Sequence, residues 1–528
     1  MKADLTRVSF DPLKHFSRVV MQQGRVQLDA DWNEQADILL HLLRTMAIDG
    51  FGRAASPNGG FAIAALPNHP DDFEIAAGTY YVDGLLCELA STPVAILKWD
   101  VANRAITVAQ WFVDAASYRV GQYLRLSDDA TPATKPLVAT ITKIDYPSRQ
   151  LTLDIDIAPL QNAAQGRARR LVTYRTQPDW PAPPALPAAP CQLYLDVWER
   201  LVTPLEDSAM REVALGGADT AARTHVVWQV KALPIASAGT PVCATQQQLH
   251  DSLRGGLPGL LRARVAPATA SADPCTVSPS AGYRRAENQL YRVEINTGSQ
   301  NAAGNAPSFK WSRDNGAAIF PVLGVQTAAA TTTVTLGDLG RDERFGLAEG
   351  DYVELQDDGT VLNQAPGQLL QVQSIDRARC VVVLAGALTQ SVGNDASLHP
   401  LLRRWDQRAG DPAQGGSDIG PDGAVSVKPG TLAGGDAAWL TLEDGVQILF
   451  EDVPGTVYRT GDYWLIPARV ATGDVLWPQE SAPDDQGSAV SHPAAVPPHG
   501  ILHHYAPLAL ITAAGGAMKL TPCSTGKP

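Results

Sequence analysis

The sequence predicts a mainly β, multi-domain protein, with small antiparallel β-barrels and sandwich-like sheets behind one N-terminal helix. Three observations carry this. Most of the chain falls into short stretches of alternating apolar and polar positions bounded by Gly, Pro, Asn and Asp, which is the strand pattern. One strand–turn–strand phrase occurs twice. A single stretch near the start has helical spacing instead.

That stretch is "QQGRVQLDADWNEQADILLHLLR", Gln22 to Arg44. Asp29 or Asp31 can cap the helix by accepting from free backbone N–H groups, and acids in the first turn suit the dipole. Leu39, Leu42, Leu43 and Met46 form an apolar stripe at three- and four-residue spacing, and Gly50 supplies a stop. The stripe must pack on this chain or on a neighbour. Trp32, beside the helix start, is either a staple onto the body or an anchor in a partner's pocket.

After the helix, "GTYYVDGLLCEL" (Gly78 to Leu89) alternates around Asp83-Gly84, a hairpin dipeptide. Next comes the repeat. "VGQYLRLSDD" (Val120 to Asp129) precedes "VATITKIDYPSRQLTLD" (Val138 to Asp154). "EGDYVELQDD" (Glu349 to Asp358) precedes "LLQVQSIDRARCVVVL" (Leu369 to Leu384). Both run strand, acidic turn, strand, Ile-Asp turn, strand, which predicts two small barrels of one design over 105–158 and 333–386, with Tyr123 and Tyr352 equivalent. "TGDYWLIPARV" (Thr460 to Val470) is a looser third echo. A proline-rich stretch, "PDWPAPPALPAAP" (Pro178 to Pro190), reads as a stiff linker. Beyond it, four aromatic or β-branched stretches alternate between Cys191 and Leu323, with a hairpin-type Asn315-Gly316. These marks divide the chain into an attachment segment (1–55), a hairpin region (56–104), a small barrel (105–160), a central β domain (190–325), a second small barrel (326–390) and a C-terminal β domain (391–528).

The formal charge of −13 argues against nucleic-acid binding, which needs a basic face. No run of about 18 apolar residues predicts a membrane span. "MKADLTRVSFDPLKHF" lacks the apolar core of a secretory signal, so synthesis in a cytoplasm is expected. The six cysteines lack a CxxC pair and read as buried thiols; Cys243 and Cys275, which bracket a loop-rich stretch, are the pair to join if a bridge forms.

Neither GxGxxG nor GxxxxGK[ST] follows a strand, and GxSxG and HExxH are missing. Glu199, Glu206, Asp207, Glu287 and Glu294 lie on or beside strands of the middle region. Two of them set opposite each other in a cleft would make a glycosidase pair. Nearby arginines make salt bridging the plainer reading: Arg200, Arg284, Arg285 and Arg292 flank these acids, as Arg313 flanks Asp314. His492, His499, His503 and His504 are the one candidate metal cluster, but adjacent strand residues face opposite ways, so His503 and His504 do not readily share an ion. No metal or other cofactor is expected. Among eleven tryptophans, Trp198, Trp228, Trp311 and Trp464 sit in alternating strands and read as core rather than a sugar platform.

"LYLDVWERLVTPLEDSAMREVALGGADTAARTHVVWQVK", "YRRAENQLYRVEIN", "FKWSRDNG" and "GDYWLIPARVATGDVLWP" together resemble an uncharacterised bacterial family known only as a domain of unknown function. The opening "FDPLKHFSRVVMQQGRVQLDADWNEQ" is similar to the start of phage tail-fibre and baseplate-associated proteins. The resemblance implies a non-enzymatic structural component of a phage-tail-like contractile injection particle, in its baseplate, fibre or cap region, assembled after cytoplasmic synthesis and open to release with the particle. It supplies no catalytic residues. The expected partners are other particle proteins and further copies of the chain, a trimer being common for fibres. The joint is expected at Gln23, Gly24, Arg25, Trp32, Asn33, Glu34, Leu39 and Leu43, with β domains behind it that fold without residues 1–52. The rival is a carbohydrate-binding or glycoside-cleaving β protein, separated by whether the acids lie unpaired in a cleft or tied to arginines.

Overall fold

The computed structural model describes residues 1–523 except 68, 132–134, 236–240, 268–281, 300–303, 305, 341–344, 411–415, 484–488 and 515–516. Contacts divide the chain into two compact units. One takes residues 1–41, 199–225 and 255–502; the other takes 42–198, 226–254 and the residues from 503 on. Strands dominate both. No described helix is long and apolar enough to cross a membrane.

The first unit holds a sandwich and a barrel. One sandwich sheet runs Val425–Ser426, Ser308–Ser312, Gln289–Thr297, Tyr463–Arg469, Asp474–Val475. The other is built on Leu261–Val265 and Val446–Glu451. Their inner faces bury Tyr291, Val293, Ile295, Phe309, Trp311, Ile448, Phe450 and Trp464 in one core. The closed barrel runs Ile319–Thr327, Thr331–Leu336, Val381–Ala385, Gln368–Asp376, Tyr352–Gln356, Leu401–Trp405 and back to the start.

The second unit holds its counterpart. Val94–Asp100, Ala105–Val108, Gln150–Leu153, Leu137–Asp145, Tyr123–Asp128 and Gly166–Thr173 pair in the same cyclic order, closed by Tyr123–Asp128 against Gly166–Thr173. The equivalence extends to the register. Tyr123 faces Thr140 and Leu171; Tyr352 faces Gln371 and Trp405. The bulges match too, after Ile141 in one barrel and after Val372 in the other. Each barrel is completed by two strands before and one after the repeated phrase, and those strands carry no recognisable repeat. Behind this barrel, Arg223–Pro234, Cys191–Val202, His504–Ala514 and Ala517–Pro522 form a four-stranded sheet. The Gly78–Val82 and Leu85–Leu89 hairpin turns at Asp83-Gly84, both at positive φ.

The Gly-x-Tyr entry has a structural reason. Gly121 and Gly350 stand at φ +87° and +91°. Gly121 N–H donates to the Ile141 carbonyl and Ile141 N–H to the Gln122 carbonyl, at 2.8 and 2.9 Å. Gly350, Asp351 and Val372 repeat this at 2.8 Å both ways, and Gly461, Asp462 and Ile295 at 2.9 Å. The third echo therefore keeps the local device, although its strand, Tyr463–Arg469, belongs to the sandwich.

Four expectations need correction. Asn315 and Gly316 have the positive φ of a tight hairpin turn, but the strands on either side pair with other strands; the turn leads from sandwich to barrel. The proline-rich stretch is packed rather than free: Trp180 lies in the core, and the Tyr174 hydroxyl donates to the Pro184 carbonyl at 2.9 Å. Cys243 is bonded to Cys523, 280 residues away, with Cα atoms 5.8 Å apart; Cys275 lies outside the described residues. Spacing could not show this, because the C-terminal strand returns to the sheet that the Cys243 loop covers, where Gln192 holds Ala244 by both its N–H and its carbonyl. A second helix, Gln246–Arg254, was legible but missed. Its start is a capping box, Thr245 with Gln248, and Leu249 is buried beneath it.

Alanine at Gly121 or Gly350 meets an unfavourable backbone, which costs an L-residue roughly 1–2 kcal/mol. Gly324, in the barrel strand Ile319–Thr327, has open space and no positive φ. Gly121→Ala and Gly350→Ala should each lower the melting temperature by a few degrees, while Gly324→Ala leaves it level or raises it; thermal melts of the three variants check the ranking.

Candidate functional site

In the sandwich, alternation sends Tyr291, Val293 and Ile295 to the core and Arg292 and Glu294 to the opposite face. Lys310 stands opposite Glu294 on one neighbouring strand, and Tyr463 opposite it on the other. A face this polar would normally be wet. Here Arg292, Glu294, Lys310 and Asn315 are all buried, because the first residues of the chain lie over them.

The Asn315 amide donates to the carbonyls of Met1 and Ala3, at 2.9 and 2.7 Å, and its oxygen accepts from Arg292 at 3.2 Å. The Met1 amino group donates to the Tyr463 hydroxyl at 2.8 Å. Lys2 Nζ reaches Glu294 at 3.0 Å, where Arg292 already stands at 2.6 Å and Lys310 at 3.6 Å. Lys310 also pairs with Glu354 of the barrel at 2.8 Å. Glu354 accepts in addition from Trp405 Nε1 at 2.8 Å and Gly367 N–H at 2.9 Å. Farther along, Arg469 donates to the Thr6 carbonyl at 2.7 Å.

The electrostatics follow from burial. Burial alone would push the Glu294 carboxyl up, but Lys2, Arg292 and Lys310 outweigh it and hold it well below the usual range. Glu354 is lowered in the same way: burial opposes, and Lys310 and Lys2 prevail. Burial pulls the Lys2 ammonium down to about 8 against the attraction of Glu294.

The "FKWSRDNG" stretch continues the network. Arg313 grips Glu443 through two bonds of 2.9 and 2.7 Å. Asp314 pairs with Arg404 at 3.0 Å, and the Ser312 hydroxyl donates to Asp314 at 2.6 Å. Lys310, Ser312, Arg313, Asp314 and Asn315 all have partners, whereas the buried Trp311 Nε1–H between them has none. The Arg292–Glu294 pair is the bridge expected from the sequence, and Glu206 is bonded to Arg200. Glu294 and Glu354 flank one lysine as bound anions, an arrangement for holding chain in place rather than for moving protons. Sequence reasoning missed Lys2, Glu354, Tyr463 and Trp405. A signal for the seat was present in Lys310, a lysine between two aromatic residues of a strand, because a cation there needs a buried partner.

From the seat the arm runs to the helix Asp29–Phe51. Thr6 donates its N–H and hydroxyl to Asp29, the Ser9 hydroxyl donates to Glu34 at 2.6 Å, and Val19 N–H donates to Gln35 at 2.8 Å. Ala30 and Ile38 are the buried helix residues. The apolar stripe faces outward: Leu39 is 51% exposed, Leu43 62%, Met46 70% and Trp32 79%. Trp32 is thus no staple on the body. Gln23, Gly24, Arg25 and Asn33 are exposed as well, with Gly24 in a turn at φ +69°, whereas Glu34 is half-buried against Ser9. Leu13, Phe16, Val20 and Val26 extend the exposed apolar surface along the arm.

Trp198, Trp228, Trp311 and Trp464 are core. His503 and His504 turn to different acids, Asp196 at 2.6 Å and Asp83 at 2.9 Å. Asp196 also binds Lys231 at 2.7 Å. Among the described residues no three His, Cys, Asp or Glu side chains are placed to hold a metal ion.

The fold and the seat define a class: a β-barrel and β-sandwich protein whose N-terminal arm is locked into its own sheet and leads to an outward apolar helix. The chain belongs to the Family of unknown function (DUF6519), whose model matches residues 1–98, 186–255 and 243–524. The interval 99–185, most of the first barrel, lies outside those matches. No curated protein and no solved structure matches the chain.

Glu294→Gln leaves three buried cations short of their anion and should cost about 3–5 kcal/mol. Lys2→Met keeps the stem but removes one cation, so it should cost less while loosening the arm. Limited proteolysis before residue 29 should accelerate in Lys2→Met, with the body intact on a gel. Removing residues 1–52 strips Asn315 and Glu294 of partners, so the truncated body should melt lower than the full chain.

A second test uses pH. Burial lowers the His503 pKa below its usual 6.5 despite Asp196, so the fold favours the neutral ring. An unfolded histidine takes up its proton first as pH falls. This contribution is whole above about pH 6.5 and is lost below it. Melting temperature should fall between pH 7 and 5, and His503→Gln should flatten that slope.

Proposed function

We propose that this chain is a non-enzymatic structural component of a phage-tail-like contractile injection particle, in its baseplate, fibre or cap region, joined through its N-terminal segment. One observation carries the reading. The outward face of the helix and arm is a broad apolar surface, larger than an isolated chain normally leaves in water. It is fastened to a β body by a buried ionic seat. The sandwich and the barrel of the first unit supply the mount, and of the acids weighed for hydrolysis Glu294 is tied up in holding the arm and Glu206 in its bond to Arg200.

The test is Leu39→Asp with Leu43→Asp. Both positions are exposed, so the isolated chain should keep its fold by circular dichroism, while incorporation into purified particles fails. Normal incorporation of the folded variant would sink the reading.

Glycan binding has one observation of its own. On the first barrel Trp111 and Tyr146 lie 5.3 Å apart edge to face, both exposed, beside exposed Phe112. Retardation of the protein in polysaccharide-containing native gels, lost in Trp111→Ala, would support that rival.

A further inference from the structure

The outward residues of the Asp29–Phe51 helix follow a stricter rule than amphipathicity. Trp32, Ala36, Leu39, Leu43, Met46 and Gly50 are all exposed and succeed one another by four, three, four, three and four residues. That alternation is the seam of a coiled coil, in which side chains spaced at 3.5 residues mesh with the same positions of a parallel helix. No seam position carries a charge. Ala36 and Gly50 are small enough for backbones to approach, and nothing lies within 4 Å of a side chain built at Gly50.

The opposite face is already occupied. The Ser9 hydroxyl binds Glu34 and the Ala30 carbonyl near its start, and Asp83-Gly84 packs so closely near its end that a Cβ on Gly84 would sit 2.5 Å from the Arg44 carbonyl oxygen. The outward face is therefore what the helix offers to a second chain.

We infer that this seam is homotypic, and that three copies of the chain associate by packing their helices in parallel along it. This deepens the reading above by naming the partner of the helix as further copies of the chain, leaving the arm for other particle proteins. Two features point to copies of itself. The 4–3 spacing is self-complementary, since each position meets its own equivalent across the symmetry axis. The area is also adequate: from their exposures, the apolar seam and its flanks present on the order of 600 Å² per copy, so three copies together cover about 1,800 Å², above the roughly 1,200 Å² at which specific association begins. The flanks set the number. Leu40 and Leu42, on opposite sides of the seam, are both exposed. Two helices would leave these leucines largely in water, whereas each helix of a three-helix bundle has a neighbour on both sides.

Sedimentation velocity of the full chain at micromolar concentration tests this without any particle. The unmodified protein should sediment at three times the chain mass. Leu39→Asp with Leu43→Asp should fall to one chain mass, with an unchanged circular dichroism spectrum. Leu13→Asp with Val26→Asp, which charges the arm at two equally exposed apolar positions, should remain three-fold. A monomeric or dimeric parent, a three-fold species that survives the seam charges, or one lost equally with the arm charges would overturn the inference. A monomeric parent whose seam variant still fails to enter particles would leave the structural reading standing. A three-fold parent whose seam variant enters particles normally would leave the seam standing and remove that reading.

Discussion

A carboxylate buried in the middle of a sheet is the constraint around which the first unit is built. Glu294 cannot remain ionised away from water unless cations come to it, and three do. Arg292 comes from its own strand, Lys310 from the next, and Lys2 from the other end of the sequence. Lys310 then needs a second anion and finds it in Glu354 of the barrel. One buried charge thus ties arm, sandwich and barrel together, and none of the three can shift without exposing an unpaired ion in a poorly solvated place.

The same constraint explains how so apolar an N-terminal segment holds its position. Its first residues are fixed by specific bonds to Asn315, Tyr463 and Arg469. The segment beyond them can then present leucines and a tryptophan outward without collapsing onto the body. An arm held only by apolar contact would bury those side chains itself. Polar fastening at the root leaves the apolar surface for another chain.

The barrels show economy of another kind. Among the described residues one strand entry, a glycine at positive φ that with the residue after it exchanges two backbone bonds with a bulged neighbour, occurs three times, twice in barrels and once in the sandwich. It turns the chain sharply into a strand and sets the register of the pair. That the family match passes over 99–185 while taking in the second barrel fits a body in which such units are separable.

Much of this architecture was readable in residue order. The alternating strands, the Asp83-Gly84 hairpin, the Gly-x-Tyr repeat and the 3–4 spacing of Leu39, Leu43 and Met46 are local patterns, and local patterns follow from backbone sterics and side-chain period. The Arg292–Glu294 bridge was readable too, because its partners are two residues apart on one face of a strand. What lay hidden was long-range. Lys2 meets Glu294 across nearly three hundred residues, Cys243 meets Cys523, and the closing strands of each barrel carry no repeated phrase. Nor could the stripe's direction be read, since an apolar helical face looks the same in sequence whether it packs inward or outward. By itself the sequence determined which segments are strand or helix and which face of each is apolar. Only the tertiary structure decided which distant charges neutralise one another and which apolar face is left uncovered, because pairing and burial depend on neighbours that chain order does not specify.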